Sequence, residues 1–173
     1  MLVNLSDVLT SQGKVVQATV PFQAERFQTR TGDFRILEKM PVNFTFANIG
    51  VDKAKIEGNV KLTFETQCDR CLTEVPTTLE ITFDRIVTSP DTDAEEDEDS
   101  RECMEGYQLD VEAFVHNEIL VNWPVKILCK EDCRGVCPVC GQNRNFGDCG
   151  CDTFVPDPRM AVIKDIFNAN KEV

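Results

Sequence analysis

The sequence predicts an α+β fold, with an antiparallel β-meander in the first half followed by a helix, a cysteine cluster and a C-terminal helix. Apolar and polar residues alternate with the two-residue period of strands between residues 15 and 88, whereas apolar residues after 106 recur with helical spacing. The turns between the alternating segments are too short for crossover helices, so neighbouring strands must run antiparallel. We expect one integrated domain, with a β region over 1–90, an acidic loop over 91–105 and a helical, cysteine-rich region over 106–173.

About four strands are expected in the β region. The first is interrupted by Pro21, which is typical of an edge strand because proline lacks the N–H group that a ladder requires. The second spans residues 36–46, with Met40 on its apolar face and Glu38 as the one exception to the alternation. The third is the clearest, since residues 54–64 place an apolar residue or glycine at every second position. The fourth makes a hairpin with the third, and the alternation resumes along it through Leu79, Ile81, Phe83 and Arg85.

A helix is expected to begin after Asp110. The Asp110 carboxylate can cap it, and Leu109 can pack on Phe114 one turn later. The apolar stripe of this helix consists of Val111, Phe114, Val115 and Ile119. Pro124 ends the helix, and the sequence predicts that the apolar run around this end is buried against the sheet. That run comprises Ile119, Leu120, Val121, Trp123 and Val125. His116, the single histidine, falls outside the stripe and is expected to be a surface residue rather than a base or ligand.

A last helix is expected near the C-terminus. Asp157 can cap it and Pro158 suits its first position, where the missing N–H group costs nothing. Its apolar stripe consists of Val162, Ile163, Ile166 and Phe167. Because the helix is short, we expect it to dock within the domain.

The charge of the chain is uneven. The 173 residues carry a formal net charge of −12, of which residues 1–89 contribute −1 (10 Lys/Arg against 11 Asp/Glu) and residues 90–173 contribute −11 (8 against 19). Such a field disfavours non-specific attraction to nucleic acid, so any RNA contact must be local. Residues 91–99 hold seven acidic residues in nine, which indicates a solvated loop, with an acidic contact for a basic protein as the alternative. No apolar run approaches the roughly 20 residues of a membrane span.

Nine cysteines stand out, and eight of them form four short-range pairs. In Cys137-Pro-Val-Cys140-Gly, the proline and glycine favour a knuckle turn that aims both thiolates at one Zn²⁺. Cys149 and Cys151 follow a short loop rich in Gly, Asn and Asp, and they can complete a local four-cysteine site. Cys103 has no other cysteine at ligand spacing.

The remaining pairs are Cys68/Cys71 and Cys129/Cys133. A second site built from them would tie the front half of the chain to the back half. The Cys129 pair can equally join the Cys137 pair and leave the first knuckle to the final pair, so the sequence leaves the partition open. With eight paired cysteines and four ligands per ion, two Zn²⁺ are predicted for each chain.

Disulfides, thiol redox chemistry and an iron–sulfur cluster are the alternatives to zinc. The N-terminal residues lack the charged and apolar regions of a secretion signal, so we expect a cytoplasmic protein whose thiols stay reduced. No βαβ pattern surrounds the Cys-x2-Cys pairs, as a thioredoxin-like site would require. Sites of four cysteines are closed and structural, so the sequence predicts a protein that is not an enzyme.

Five basic residues near the cysteines are candidates for a local RNA contact, namely Arg70, Lys126, Lys130, Arg134 and Arg144. Acidic residues are interspersed among them. Ordinary surface charge is an equally good interpretation, because RNA sites usually combine a contiguous basic patch with exposed aromatic side chains.

These motifs together resemble the YceD family, the large ribosomal RNA subunit accumulation proteins, in its cysteine-rich form. The resemblance rests on Cys-Asp-Arg-Cys-Leu at 68–72, the acidic loop, Leu-Asp at 109–110, Trp-Pro at 123–124, the segment 128–141, Asn145, Cys-x-Cys and Asp-Pro-Arg at 157–159. It implies a ribosome biogenesis factor needed for accumulation of large-subunit (23S-type) ribosomal RNA, without known catalytic chemistry. The implied partners are the large-subunit precursor and ribosomal RNA, a basic ribosomal protein, or both. A zinc-stabilised interaction adaptor and a thiol redox protein are the alternatives.

Overall fold

The structure is a computed structural model that describes residues 1–30, 32–89 and 103–152. The predicted acidic run at 91–99 and the predicted helix from Asp157 lie outside these residues. Within them the chain is mostly antiparallel sheet, with two short helices and two groups of cysteines. The elements are β1 (Leu2–Asn4), α1 (Ser6–Thr10), β2 (Val15–Val20), β3 (Arg26–Gln28), β4 (Asp33–Lys39), β5 (Val42–Gly50), β6 (Lys53–Gln67), β7 (Glu74–Thr88), β8 (Met104–Glu105), β9 (Gln108–Asp110) and α2 (Val111–Asn122).

The main sheet is built around β6. One edge of β6 pairs with β7 along its whole length, and the other edge pairs first with β5 and then with β4. Strands β4 and β5 follow one another across Pro41 and act as one long interrupted strand, and β2 and β3 do the same across the segment that contains Pro21. Because proline cannot donate to a ladder, these breaks fall where the sequence removes the N–H group. The result is the predicted four-stranded meander.

A second, three-stranded sheet has the order β1-β9-β8 and was not predicted. It joins the N-terminus to the residues just before α2, with Val3 opposite Leu109. The Leu5 N–H donates to the Tyr107 carbonyl over 2.8 Å, and Asn48 of β5 donates to the Val8 carbonyl of α1 over 2.9 Å. The N-terminal residues thereby close one end of the core.

The core lies between the main sheet and α2. The alternation in β6 is confirmed, since Ala54, Ile56, Val60, Leu62 and Phe64 are all buried on the face toward the helix. Gly58 continues this face without a side chain, because a Cβ there would lie 2.0 Å from the Asn43 carbonyl oxygen. The rings of Phe44 and Phe83, which are on either side of Gly58, instead approach to 5.3 Å.

Helix α2 begins and ends at the predicted residues. The Asp110 carboxylate accepts from the Glu112 and Ala113 N–H groups over 2.9 and 3.5 Å, and Trp123 follows the last helical residue. Arg85 of β7 reaches α2 with two hydrogen bonds, of 2.7 and 3.2 Å, to the buried Glu118 carboxylate. This pairing leaves the buried carboxylate with a partner, as burial of a charge requires.

Two predictions about burial are wrong. Met40 is exposed because β4 has a bulge between Ile36 and Glu38, which shifts the phase of the alternation by one residue. In the apolar run around the end of α2, Ile119 is buried, but Leu120, Val121 and Val125 are exposed by 45%, 72% and 104%. The two helical residues, 120 and 121, lie outside the stripe because successive residues are about 100° apart around a helix.

His116 is half-exposed beside β3. Its Nε2 atom lies 3.1 Å from the Gln28 carbonyl oxygen, and its ring centre is 5.0 Å from that of Phe27.

In the part of the chain that the structure describes, no helix has the length and apolar character to cross a membrane.

Candidate metal centres

The turn between β6 and β7 presents the first cysteine pair. The Cys68 N–H donates to the Thr73 carbonyl over 2.8 Å, and the Leu72 N–H donates to the Cys68 carbonyl over 2.9 Å. These bonds hold Cys68 and Cys71 on one side of a tight turn at the end of a fifteen-residue hairpin arm. The hairpin turn thus places two sulfur atoms side by side.

The chain after α2 returns to this turn. Trp123 packs on the rings of Phe34 and Phe64, with centre-to-centre distances of 4.7 and 5.2 Å. Further on, Asp69 and Ile127 make a reciprocal pair of bonds, of 2.9 Å from the Asp69 N–H and 2.6 Å to the Asp69 carboxylate. These contacts bring the segment with the second cysteine pair, Cys129 and Cys133, against the hairpin.

Contacts at Arg70 complete the docking. Its guanidinium donates to the Cys133 carbonyl over 2.9 Å, and its own carbonyl accepts from the Val136 N–H over 3.0 Å. Gly135 lies so close that a Cβ there would be 3.0 Å from the Arg70 carbonyl oxygen, and its φ of +73° also favours glycine. The back half can therefore pack this closely on the hairpin because residue 135 is glycine and has no Cβ atom.

The structure groups the cysteines into two sets of four. In each set the four sulfur atoms lie within 4.8 Å of one another. The inter-half cluster consists of Cys68, Cys71, Cys129 and Cys133, and the local cluster consists of Cys137, Cys140, Cys149 and Cys151. Of the two partitions that the sequence left open, this is the one that the fold brings together.

The spacing of the sulfur atoms fits tetrahedral coordination of a divalent cation. Four sulfurs at the usual zinc distance of about 2.3 Å are about 3.8 Å from one another. In the inter-half cluster the Cys68–Cys133 and Cys71–Cys129 sulfur pairs are 3.7 and 3.5 Å apart. A disulfide would need about 2.05 Å, and none of the nine cysteines, all of which the structure describes, forms one.

The electrostatics of both clusters also suit a cation. In the local cluster, the backbone N–H groups of Cys140 and Val139 lower the pKa of Cys137 to about 6. Burial opposes ionisation of Cys68, but backbone N–H groups around it outweigh burial and lower its pKa to about 6. Each cluster is therefore built to hold thiolate at neutral pH.

In each cluster, by contrast, one thiol among the crowded sulfurs has a raised pKa. Although Cys129 as a whole is exposed, desolvation of its thiol among the other sulfurs, followed by hydrogen bonding with Cys71, raises the pKa of Cys129 to about 12. Hydrogen bonding with Cys140 and Cys149 raises the pKa of Cys151 to about 12. Neighbouring thiolates cannot all ionise without a positive charge between them, and a bound Zn²⁺ would supply it.

Asparagine residues of the local cluster's loop reach the inter-half cluster. The Asn145 side chain donates to the Cys133 sulfur over 3.3 Å and accepts from the Arg134 N–H over 3.0 Å. Asn143 donates to the Thr73 hydroxyl over 3.2 Å, and that hydroxyl lies 3.2 Å from the Cys71 sulfur. Sequence reasoning singled out Asn145 only as part of the family resemblance and missed both roles, because neither hydrogen bond is encoded by a local pattern.

The five candidate RNA-contact residues do not form one free patch. Arg70 is bound to the Cys133 carbonyl, Arg134 pairs with Asp148 over 2.7 Å, and Lys130 lies 3.7 Å from Asp132. Lys126 is exposed, while Arg144 is half-buried and anchored through its backbone. A role for these residues in RNA binding stays a prediction.

Comparison with known proteins places the two clusters in a described family. The model of the family described as "Large ribosomal RNA subunit accumulation protein YceD" matches residues 56–167, which is well over half of the chain and includes all eight clustered cysteines. Uncharacterized proteins of Mycobacterium bovis and of two strains of Mycobacterium tuberculosis are each 27% identical over 88 residues. That match covers 50% of this chain and 42% of each relative. No solved structure matches the chain with significance.

Proposed function

Because the chain belongs to the YceD family, we propose that it supports the accumulation of large-subunit ribosomal RNA by binding, as a ribosome biogenesis factor without catalytic chemistry. The observation that carries this proposal is the family match over residues 56–167, which takes in the arm of the hairpin, α2 and both cysteine clusters. The family description names a role in accumulation of the large-subunit RNA and no reaction.

The clusters support binding rather than catalysis in this proposal. Eight cysteines would hold two Zn²⁺, with Cys68, Cys71, Cys129 and Cys133 around one ion and Cys137, Cys140, Cys149 and Cys151 around the other. Four thiolate ligands leave a zinc ion no open position for substrate or water, and such sites contribute folding free energy. Each ion would fix the shape of a surface rather than take part in a reaction.

We expect a basic ribosomal protein to be at least one direct partner. The chain carries a formal charge of −12, which attracts a basic protein and repels the phosphates of bare RNA. Where RNA is contacted, the basic residues beside the clusters are the candidates. Binding to a basic partner should weaken as salt is added, because salt screens exposed charges.

Depletion of the protein tests the proposal. The mature large-subunit RNA should fall relative to small-subunit RNA, and the protein should co-sediment with large-subunit precursors at low salt. A normal ratio of the two RNAs together with no association with precursors or ribosomal proteins would overturn the proposal. A zinc-stabilised interaction adaptor with no RNA role would then be the better description.

Thiol redox activity is the other candidate, and one observation favours it. The pKa of the Cys137 thiol is lowered to about 6, as in reactive thiols, although Cys137 is buried whereas reactive cysteines are accessible. Metal analysis of protein purified without chelator separates the two. Two equivalents of zinc support the binding proposal, whereas metal-free protein that cycles between thiol and disulfide supports the redox candidate.

A further inference from the structure

A groove of about 1040 Å³ opens beside the inter-half cluster. It lies between the ends of β4 and β6 and the residues that follow α2. Strands β4 and β6 pair as far as Arg35 opposite Glu65, and continued pairing would place Phe34 opposite Thr66. The ladder stops instead, and Phe34 and Thr66 both line the groove. The opening between two strand ends suits an extended segment of another chain.

One wall of the groove is apolar and exposed. It is formed by Leu72, Leu120 and Val125, whose side chains are between 45% and 104% exposed, with the half-buried Trp123 behind them. Exposed apolar side chains that cluster in a groove indicate a binding surface, whereas scattered ones need no explanation.

Leu72 stands out because of its backbone. Its φ of +60° is a left-handed conformation that costs a side chain such as leucine about 1 kcal/mol, and glycine or asparagine would adopt it at lower cost. The turn nevertheless carries a large apolar side chain that packs little surface within the described residues. A role in binding another molecule accounts for a residue that stability alone disfavours.

The charges on the groove favour a basic occupant. Its lining includes four carboxylates, those of Asp33, Glu65, Asp69 and Glu74, against the guanidiniums of Arg26 and Arg35. Arg26 is already paired with Asp33 over 2.9 Å. Glu65 and Glu74 are exposed, and although Glu65 lies opposite Arg35 in the ladder, an incoming lysine or arginine can approach both carboxylates from solvent. The phosphates of RNA would meet a net negative rim.

We propose that this groove binds an extended segment of a basic large-subunit ribosomal protein. Apolar side chains of the segment pack on Leu72, Leu120 and Val125, and its lysine or arginine side chains pair with Glu65 and Glu74. The proposal rests on the proposed function and deepens it, since it assigns the contact with the ribosomal partner to one surface. The inter-half cluster sets the geometry of that surface, because Cys68 lies in the groove lining.

Site-specific photocrosslinking in cells tests the occupant. The crosslinking amino acid p-benzoylphenylalanine replaces Leu120 in one variant and Val51 in a matched control. Val51 is 86% exposed in the turn between β5 and β6 and is not part of the groove lining. The proposal predicts a crosslink from position 120, and not from position 51, to a lysine- or arginine-rich segment of a large-subunit ribosomal protein. A crosslink from position 120 to ribosomal RNA, to a second copy or to residues 153–173 of the same chain overturns it, as does a yield no higher than at position 51.

The second test measures the affinity of the chain for the purified ribosomal protein that the crosslink identifies. Leu120→Glu should weaken binding roughly tenfold or more, because it removes apolar burial and places a charge on the wall. Val51→Glu adds the same charge to the chain and should change the affinity less than about twofold. Trp123 is the single tryptophan, so its fluorescence reports occupancy of the groove directly when the partner lacks tryptophan. Equal effects of the two substitutions overturn the proposal.

The groove assignment and the family role are overturned by different outcomes. If depletion lowers large-subunit RNA but the Leu120→Glu variant restores it fully, the groove assignment is wrong and the family role stands. If depletion leaves the RNA ratio normal, the proposed function itself is wrong.

Discussion

The inter-half and local clusters have the same ligand chemistry but occupy different places in the fold. The inter-half cluster joins positions 58 and 65 residues apart along the chain, and three of its four cysteines are buried. The local cluster closes a short loop between Cys140 and Cys149, and only Cys137 of its four cysteines is buried. One set of four thiols therefore joins two distant parts of the chain, whereas the other closes a surface loop.

Each cluster also contacts residues that hold the other cluster in place. The loop of the local cluster supplies Asn145, which donates to the Cys133 sulfur of the inter-half cluster. The inter-half cluster in turn holds Arg70, whose carbonyl anchors Val136 just before the local cluster. Loss of one cluster should therefore lower the metal affinity of the other, and the size of that loss can be measured for each.

The largest expected difference is in stability. Both Cys68→Ser and Cys137→Ser should cost several kcal/mol in the presence of zinc, because structural zinc binding is folding free energy. Cys68→Ser should cost about 1–2 kcal/mol more, because closing the longer loop costs the unfolded chain more entropy and leaves it less able to bind the same ion, so that more of the binding free energy stabilises the fold. Urea denaturation in reducing, zinc-containing buffer, followed by Trp123 fluorescence, gives the free energies of unfolding.

Cys103→Ser is the matched control for these two variants. Cys103 is buried outside both clusters, and serine keeps an acceptor for the Asn117 side chain, which donates to the Cys103 sulfur over 3.3 Å. Its cost should be the smallest of the three. A cost at Cys137→Ser equal to that at Cys68→Ser would contradict the structural distinction between the clusters.

The next effect concerns coupling through Asn145. Asn145→Ala removes a donor to the Cys133 sulfur, and loss of such a ligand partner typically lowers metal affinity about 10–100-fold. The loss should appear at the inter-half cluster although Asn145 belongs to the local loop. Competition with a chelator, with each cysteine's exposure then mapped by alkylation and mass spectrometry, identifies which cluster loses metal. Gln142→Ala, an exposed residue of the same loop, is the control. Weakening confined to the local cluster would show that the clusters are independent.

A smaller effect is the order of metal loss in the unmodified chain. Protein purified without chelator should contain two zinc ions, and a chelator should remove the local one first, because one of its four cysteines is buried against three of four in the inter-half cluster. We expect a difference in rate of about tenfold, equivalent to about 1.4 kcal/mol in the barrier. Alkylation of Cys140 before Cys68 is the readout. A single zinc per chain, an iron–sulfur absorbance band or the reverse order would each count against the proposed sites.

The smallest effect is expected on removal of residues 91–99. These residues contain none of the eight clustered cysteines, and their seven acidic side chains favour solvent over a packed core. Replacing them with a neutral linker should leave two zinc ions bound and change the free energy of unfolding by less than about 0.5 kcal/mol. Denaturation and metal analysis of the shortened chain check both. Loss of cooperative unfolding would show that this segment supports the fold.

Local patterns in the sequence were sufficient for much of the fold. The alternation over residues 54–64 predicted the buried and exposed faces of β6, because side chains of a strand point to opposite faces whatever the strand packs against. Asp110 predicted the start of α2 for a similar reason, since a cap acts on N–H groups two and three residues away. The pattern failed at Met40 and Leu120, where a bulge and the direction of a helix face decided burial.

The pairing of eight cysteines at metal-ligand spacing can be read directly from the sequence, because spacing within a pair is a property of the local chain. Which pairs meet depends on long-range contacts in the folded chain. The bonds from Asp69 to Ile127 and from Arg70 to Val136 join segments more than fifty residues apart, and no local pattern encodes them. The groove beside Leu72 has the same origin, since it exists only where the hairpin and the end of α2 are brought together by long-range contacts.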